Sequence, residues 1–222
     1  MVRAVIEYIT HMERIGQKIL ELIVSSLDIS LSEFQTDFND PTVLFRIFNY
    51  PPHDNKLADS YGVGEHTDYG FITILYQDAS GGLQIKNKNG SWVNVDPIKG
   101  TFVVNLGDAL EHMTGGLLRA TPHRVIQRLG ATKSRLSFPF FFDPNFDSAM
   151  RSVVQYLSPE LQAIATANRG DVDYATKKRW DSFDPASFSG TYGRYLMMKV
   201  SKVFPDLAQG YLKKTENVVG MY

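Results

Sequence analysis

The sequence predicts a mainly β protein, a jelly roll with flanking helices, and three features predict it. Between Thr42 and Ser137, short runs rich in β-branched and aromatic residues recur at close spacing, punctuated by Gly, Pro, Asn and Asp. An amphipathic helical pattern precedes them, and helical patterns return after Asp147. At 222 residues, 43% hydrophobic and 12% aromatic, one barrel or sandwich has enough apolar material for its core.

Residues 2–27 read as one helix packed on a sheet. Val5, Ile9, Met12, Ile19 and Ile23 fall close to one stripe, while Arg3, Glu7, Arg14, Gln17 and Lys18 supply polar positions. Gly16 weakens this helix slightly. Candidate strands follow at Val43–Tyr50, Phe71–Gln77, Gly82–Ile85, Ser91–Val95, Phe102–Leu106, His123–Gln127 and Arg135–Phe142. The run Lys86-Asn87-Lys88-Asn89-Gly90 is a hairpin signal, and Asp96-Pro97-Ile98-Lys99-Gly100 a turn signal. A short helix, Asp108 to Met113, interrupts the strands. Ser158-Pro159-Glu160 offers an N-cap followed by proline at the first helical position. A last helix runs from Thr191 to Val203 ahead of Pro205, and a loose tail follows Gly210. The expected organisation is a single domain: residues 1–41 as an N-terminal helical segment, 42–145 as the jelly-roll core and 146–222 as C-terminal helices.

Bulk properties narrow the chemistry. A formal net charge of −1 lacks the basic footprint of a nucleic-acid binder. The chain has no cysteine, which excludes disulfides, iron–sulfur clusters and thiolate zinc sites, so a transition metal must be held by His and carboxylates. Glu7, Glu13 and Arg14 break every apolar run near the start, and Ile19–Leu27 contains Glu21 and is too short for a bilayer. A cytoplasmic protein with neither membrane nor nucleic-acid partners is therefore expected.

Of the five histidines, His11 reads as an ordinary helix residue, His53 as a solvated loop residue and His112 as part of the short helix. His66 and Asp68 stand two apart, so in extended backbone both point to one face and can converge on one ion. A third ligand from a distant strand, His123, would complete a facial set of two imidazoles and a carboxylate. That set suits Fe(II) and leaves open positions. Alone, His66-Thr67-Asp68 reads more naturally as a solvated loop. Arg135 and Ser137 supply the context: they share a strand face twelve residues after His123, and a guanidinium fork with a neighbouring hydroxyl suits a carboxylate. The plainer alternative is a buried arginine paired with a protein acid.

Five runs in order resemble the isopenicillin N synthase-like family of 2-oxoglutarate and Fe(II)-dependent oxygenases. They are Gly62-Val63-Gly64-Glu65-His66-Thr67-Asp68-Tyr69-Gly70, Gly81-Gly82-Leu83-Gln84, Asn105-Leu106-Gly107-Asp108, Thr121-Pro122-His123-Arg124-Val125 and Arg135-Leu136-Ser137-Phe138. The resemblance covers residues 42 to 145 strongly and implies a distorted double-stranded β-helix. It implies iron at His66, Asp68 and His123, and the far carboxylate of 2-oxoglutarate at Arg135 and Ser137. Tyr50 matches a family tyrosine that reaches the co-substrate; Phe48 stands where many relatives have asparagine. Asn105 reads equally as a co-substrate neighbour or a structural residue. Phe138, Phe140 and Phe142 are expected on the face of Arg135, in core packing or as a pocket wall.

The implied reaction is oxidation, most commonly hydroxylation, of a small organic substrate by dioxygen with release of succinate and carbon dioxide. Nucleic-acid demethylases of the wider group carry a second arginine where this chain has Phe141, and a cupin's H-x-H pair is absent. Two alternatives stay open. One is a 2-oxoglutarate-independent oxidase of the same family, with ascorbate as possible reductant. The other is a truncated, non-catalytic metal-binding remnant, since the family usually carries a sizeable region before the first helix of this chain. A more exposed site or a missing sheet edge is expected on that account.

Overall fold

The computed structural model describes residues 2–52, 61–127, 132–170, 190–203 and 205–206. The expectations for His53 and for the tail beyond Gly210 lie outside them. The first helix, α1 (Val2–Ser26), is followed by one turn, α2 (Ser32–Gln35). Nine strands then follow: β1 (Thr42–Phe45), β2 (Phe48–Tyr50), β3 (Tyr61–His66), β4 (Ile72–Gln77), β5 (Leu83–Lys86), β6 (Trp92–Asn94), β7 (Val103–Leu106), β8 (His123–Ile126) and β9 (Arg135–Asp143). Helix α3 (Asp108–Met113) separates β7 from β8. A short 3-10 turn (Val154–Tyr156), α4 (Pro159–Gly170) and α5 (Tyr192–Val203) close the described chain.

The strands make two antiparallel sheets. One has the order β1-β9-β4-β7, with β2 also on β9; the other has the order β3-β8-β5-β6. This is the jelly roll that the strand spacing predicts. The expected single strand Val43–Tyr50 is split: β1 pairs with Phe140–Asp143 and β2 with Arg135–Ser137. The break falls opposite Pro139. Arg46 donates its N–H to the Pro139 carbonyl at 3.0 Å, and proline has no N–H to return. The apolar alternation does not predict β3, because Gly62 and Gly64 interrupt it; its pairing with β8 is bulged between Tyr61, Val63 and His66.

The main core lies between α1 and the outer face of the first sheet. Met12, Leu20 and Val24 of α1 meet Ile72, Ile74, Phe140 and Phe142, all nearly inaccessible. Gly16 sits in this contact: a Cβ there would lie 2.6 Å from the Phe142 ring, so the glycine that lowers helix propensity lets helix and sheet meet. Phe34 and Phe38 close the end, with Phe38 stacked on Phe142 at 5.7 Å and edge-on to Phe71 at 4.7 Å.

One expectation is corrected here. Phe138, Phe140 and Phe142 do not share the face of Arg135. Strand alternation puts Arg135, Ser137, Pro139, Phe141 and Asp143 toward the interior of the roll. Phe140 and Phe142 point to α1, and Phe138 lies beside Tyr76 at 5.9 Å. Phe141 is the pocket-wall residue.

Candidate metal centre

His66 ends β3 and His123 begins β8, and the two are directly paired in register, which brings their rings to 4.2 Å between centroids. Each ring is fixed through its outer nitrogen. His66 Nδ1 donates to the Gly64 carbonyl at 2.8 Å and His123 Nδ1 to the Thr121 carbonyl at 3.0 Å. A carbonyl can only accept, so Nδ1 carries the proton and each Nε2 keeps a free lone pair. Both Nε2 atoms face Asp68 Oδ1, at 3.8 Å from His66 and 3.7 Å from His123. Burial first, then the neighbouring His123, lowers the His66 pKa below its ordinary 6.5, against the pull of Gly64 and Asp68, which favours the neutral, ligating form. These three side chains are the group among the described residues whose donor atoms lie close enough to share a metal ion. Two neutral imidazoles and a carboxylate converging from one side fit a first-row divalent ion with open positions opposite.

Asp68 lies past the end of β3, in a loop held by close backbone approach. Its carbonyl accepts from Asp108 N at 2.8 Å, and a Cβ on Gly107 would stand 2.1 Å from the Gly70 carbonyl oxygen, so only glycine lets the α3 loop dock here. Its second oxygen, Oδ2, accepts from Thr73 Oγ1 at 2.6 Å and Asn105 Nδ2 at 2.7 Å. Asn105 thus orients the carboxylate, the structural of its two expected roles. Sequence reasoning misses Thr73; its inward position in β4 is the signal that could have found it.

Arg135 is buried, at 7% exposure, at the other end of the same cavity. Its Nε donates to the Gly81 carbonyl at 2.6 Å and its Nη2 to Gln77 Oε1 at 3.3 Å. Its Nη1 is buried without a partner. Among the described residues no carboxylate is within ion-pair distance of it; Asp78, whose Oδ2 accepts from Leu136 N, acts on it at longer range and favours its charged form. Gly81 and Gly82, at φ of 72° and 91°, form the left-handed turn that turns the Gly81 carbonyl to the guanidinium. The guanidinium stacks on Tyr50 at 5.0 Å, and Ser137 is buried on the same face two residues along. Arg135, Ser137, Tyr50 and the three candidate ligands therefore line one cavity of about 490 Å³.

Helix α5 closes part of that cavity with Tyr192, Leu196 and Val200. It is bolted down by a buried pair, Lys199 Nζ to Asp108 Oδ2 at 3.3 Å, and by the Tyr195 hydroxyl donating to the Tyr69 carbonyl at 3.1 Å. Asp143 also borders the cavity. Its Oδ1 accepts from Phe71 N at 2.6 Å, and burial pushes its carboxyl up to about 7 despite that bond and the facing Tyr192 hydroxyl.

Residues 39–144 match the family model described as the 2OG-Fe(II) oxygenase superfamily. A Dictyostelium discoideum protein described as "Probable iron/ascorbate oxidoreductase" is 46% identical over 94% of this chain and 58% of its own length. The 1-aminocyclopropane-1-carboxylate oxidase of Dictyostelium mucoroides is 33% identical over 90% of this chain and 59% of its own length. Among solved structures, a full-length Neurospora crassa protein in complex with alpha-KG superposes with a TM-score of 0.69 at 25% identity, covering 88% of this chain and 55% of that one. The chain thus spans somewhat under three fifths of the length of these relatives. Through its jelly-roll segment, residues 39–144, the chain belongs to the 2OG-Fe(II) oxygenase superfamily.

Proposed function

We propose that this chain is an Fe(II)- and 2-oxoglutarate-dependent oxygenase that hydroxylates a small organic substrate, consuming dioxygen and releasing succinate and carbon dioxide. In this reading His66, Asp68 and His123 hold the iron. Arg135 and Ser137, backed by Tyr50, take the far carboxylate of 2-oxoglutarate. The observation that carries it is the buried, unpartnered Nη1 of Arg135 at one end of a cavity whose other side presents the three converging donors. A buried guanidinium nitrogen without an acceptor is costly, and a bidentate carboxylate supplies one.

Bound iron with 2-oxoglutarate supplies the oxidising chemistry. The chain's residues do the rest. Thr73 and Asn105 fix the Asp68 carboxylate, the Gly64 and Thr121 carbonyls fix the imidazoles, and Phe141, Leu196 and Val200 give the cavity an apolar wall that limits water near the reacting bond. Residues 1–41, 42–145 and 146–222 act as one unit here, and a reducing cytoplasmic setting suits ferrous iron and a cysteine-free chain.

The test is anaerobic titration with Fe(II) or Mn(II), then 2-oxoglutarate, followed by a substrate screen read by succinate. Binding near one equivalent with substrate-dependent succinate is expected. Failure to bind metal would favour a non-catalytic remnant. A relative named as 1-aminocyclopropane-1-carboxylate oxidase and another as an iron/ascorbate oxidoreductase favour a second reading, a 2-oxoglutarate-independent oxidase using ascorbate. Substrate loss without succinate would establish it.

A further inference from the structure

Two charged groups on the cavity wall have no role in holding iron or 2-oxoglutarate. Arg46 extends from the β1–β2 break, exposed, with its guanidinium 5.0 Å from the Phe48 ring, and no acid pairs with it among the described residues. Asp143, at 6% exposure, takes one backbone N–H and faces one tyrosine hydroxyl, and no cation lies beside it among the described residues. The cavity therefore carries a cation without an anion and a buried carboxylate without a cation.

Their spacing is set by strand register. Arg46 opposes Pro139, whose carbonyl it bonds, while Thr42 opposes Asp143. Four residues of β9 separate the two levels, about 13 Å at roughly 3.3 Å per residue. Between them the wall is apolar, with Leu44 and Phe141 directly paired. Phe141 in turn pairs with Thr73, which holds Asp68. The uncharged stretch between the two charges thus lies beside the candidate metal ligands.

We infer that the substrate is a small amphoteric molecule: a carboxylate meets Arg46, a basic nitrogen meets Asp143, and an aliphatic linker of several carbons presents its C–H bonds to the metal centre. This rests on the proposed oxygenase reading for the chemistry but not for the binding, because the charge selectivity belongs to the β1–β2 break and β9 and needs no iron. Phe48 holds the Arg46 guanidinium over its ring, and a ligand cation would complete the electrostatics that burial leaves open at Asp143.

The experiment measures ligand binding by calorimetry and thermal shift, on the cofactor-free chain and again with Mn(II) and 2-oxoglutarate. The probes are three amphoteric amino acids of increasing reach, L-ornithine, L-lysine and L-arginine. Each is compared with its decarboxylated amine and with the straight-chain amino acid lacking the side-chain base. The expected result is that at least one amphoteric probe binds roughly ten- to a hundredfold more tightly than both of its analogues. Arg46→Gln should abolish the preference over the amine, and Asp143→Asn the preference over the neutral side chain. Equal binding of an analogue, or no binding by any amphoteric probe, would overturn the inference even if a variant fails to fold, since both are read on the unsubstituted protein. Charge selectivity without metal or 2-oxoglutarate binding would keep the inference and sink the oxygenase reading; the reverse result would sink the inference alone.

Discussion

Asp143→Asn should stabilise this protein above neutral pH, an unusual sign for replacing a buried charged residue. The carboxyl is buried among Phe71, Gly70 and Tyr192, and burial moves it from an ordinary 3.8 to about 7. At about 1.36 kcal/mol per pKa unit this corresponds to about 4 kcal/mol, an upper figure that water entry and relaxation would reduce to about 2–4 kcal/mol. The folded state holds its proton between pH 4 and 7 while the unfolded chain has lost it. Stability from this group is therefore complete below pH 4, falls as pH rises, and is fully lost above 7. Asparagine keeps an oxygen for the Phe71 N–H and carries no charge. His66 acts with the opposite slope: its lowered pKa makes the fold less stable as pH falls below 6.5, but it does so in both proteins and cancels in the difference. The assay is urea denaturation of chelator-treated wild type and variant at half-unit steps from pH 5 to 8.5. The variant's advantage should grow with pH and level off above 7. A difference independent of pH would refute the reasoning, since it would mean Asp143 does not change its protonation on folding in that window.

Other substitutions separate packing from site geometry. Gly16→Ala gains helix propensity yet forces a Cβ to 2.6 Å from Phe142, so denaturation should show a net loss of about 1–3 kcal/mol. Thr73→Ala or Asn105→Ala removes one of two bonds to Asp68 Oδ2 and should weaken Mn(II) binding by roughly 10- to 100-fold, read by titration, with little change in far-ultraviolet circular dichroism. Lys199→Met deletes one partner of an ion pair whose members are 1% and 2% exposed, and should cost about 3–5 kcal/mol in urea denaturation; adding Asp108→Asn should recover part of that.

The β-core was legible because its signals are local. Period-two alternation, Gly-rich turns and the two-residue spacing of His66 and Asp68 act over a few residues, and β4 to β9 fall within a residue or two of their expected bounds. Long-range facts were not legible. Phe34 and Phe38 stand four apart in a segment too short for a helical period to be read, yet they cap the core because the chain folds back over β4 and β9. The misplacement of Phe138, Phe140 and Phe142 was an error of parity: residues an odd number apart on a strand face opposite ways. Thr73 and Asn105 lie far from Asp68 in sequence or on another strand, and nothing local marks them as its partners. The α5 wall escaped for the same reason, because its apolar stripe alone cannot say what it covers.

Asp68 reaches across the sandwich. Its Oδ2 is held by Thr73 and Asn105 of one sheet, while its Oδ1 looks toward two histidines carried by the other. An ion gripped by all three would act as a rivet through both layers, and the spacing of the layers would become part of its bite angle. The sheet that carries Thr73 is backed on its outer face by α1, which meets Phe142 at the gap left by Gly16. A metal centre built this way is a strain gauge for the whole roll: a methyl group added beneath the outer sheet should be felt as a change in ion affinity before it is felt as unfolding.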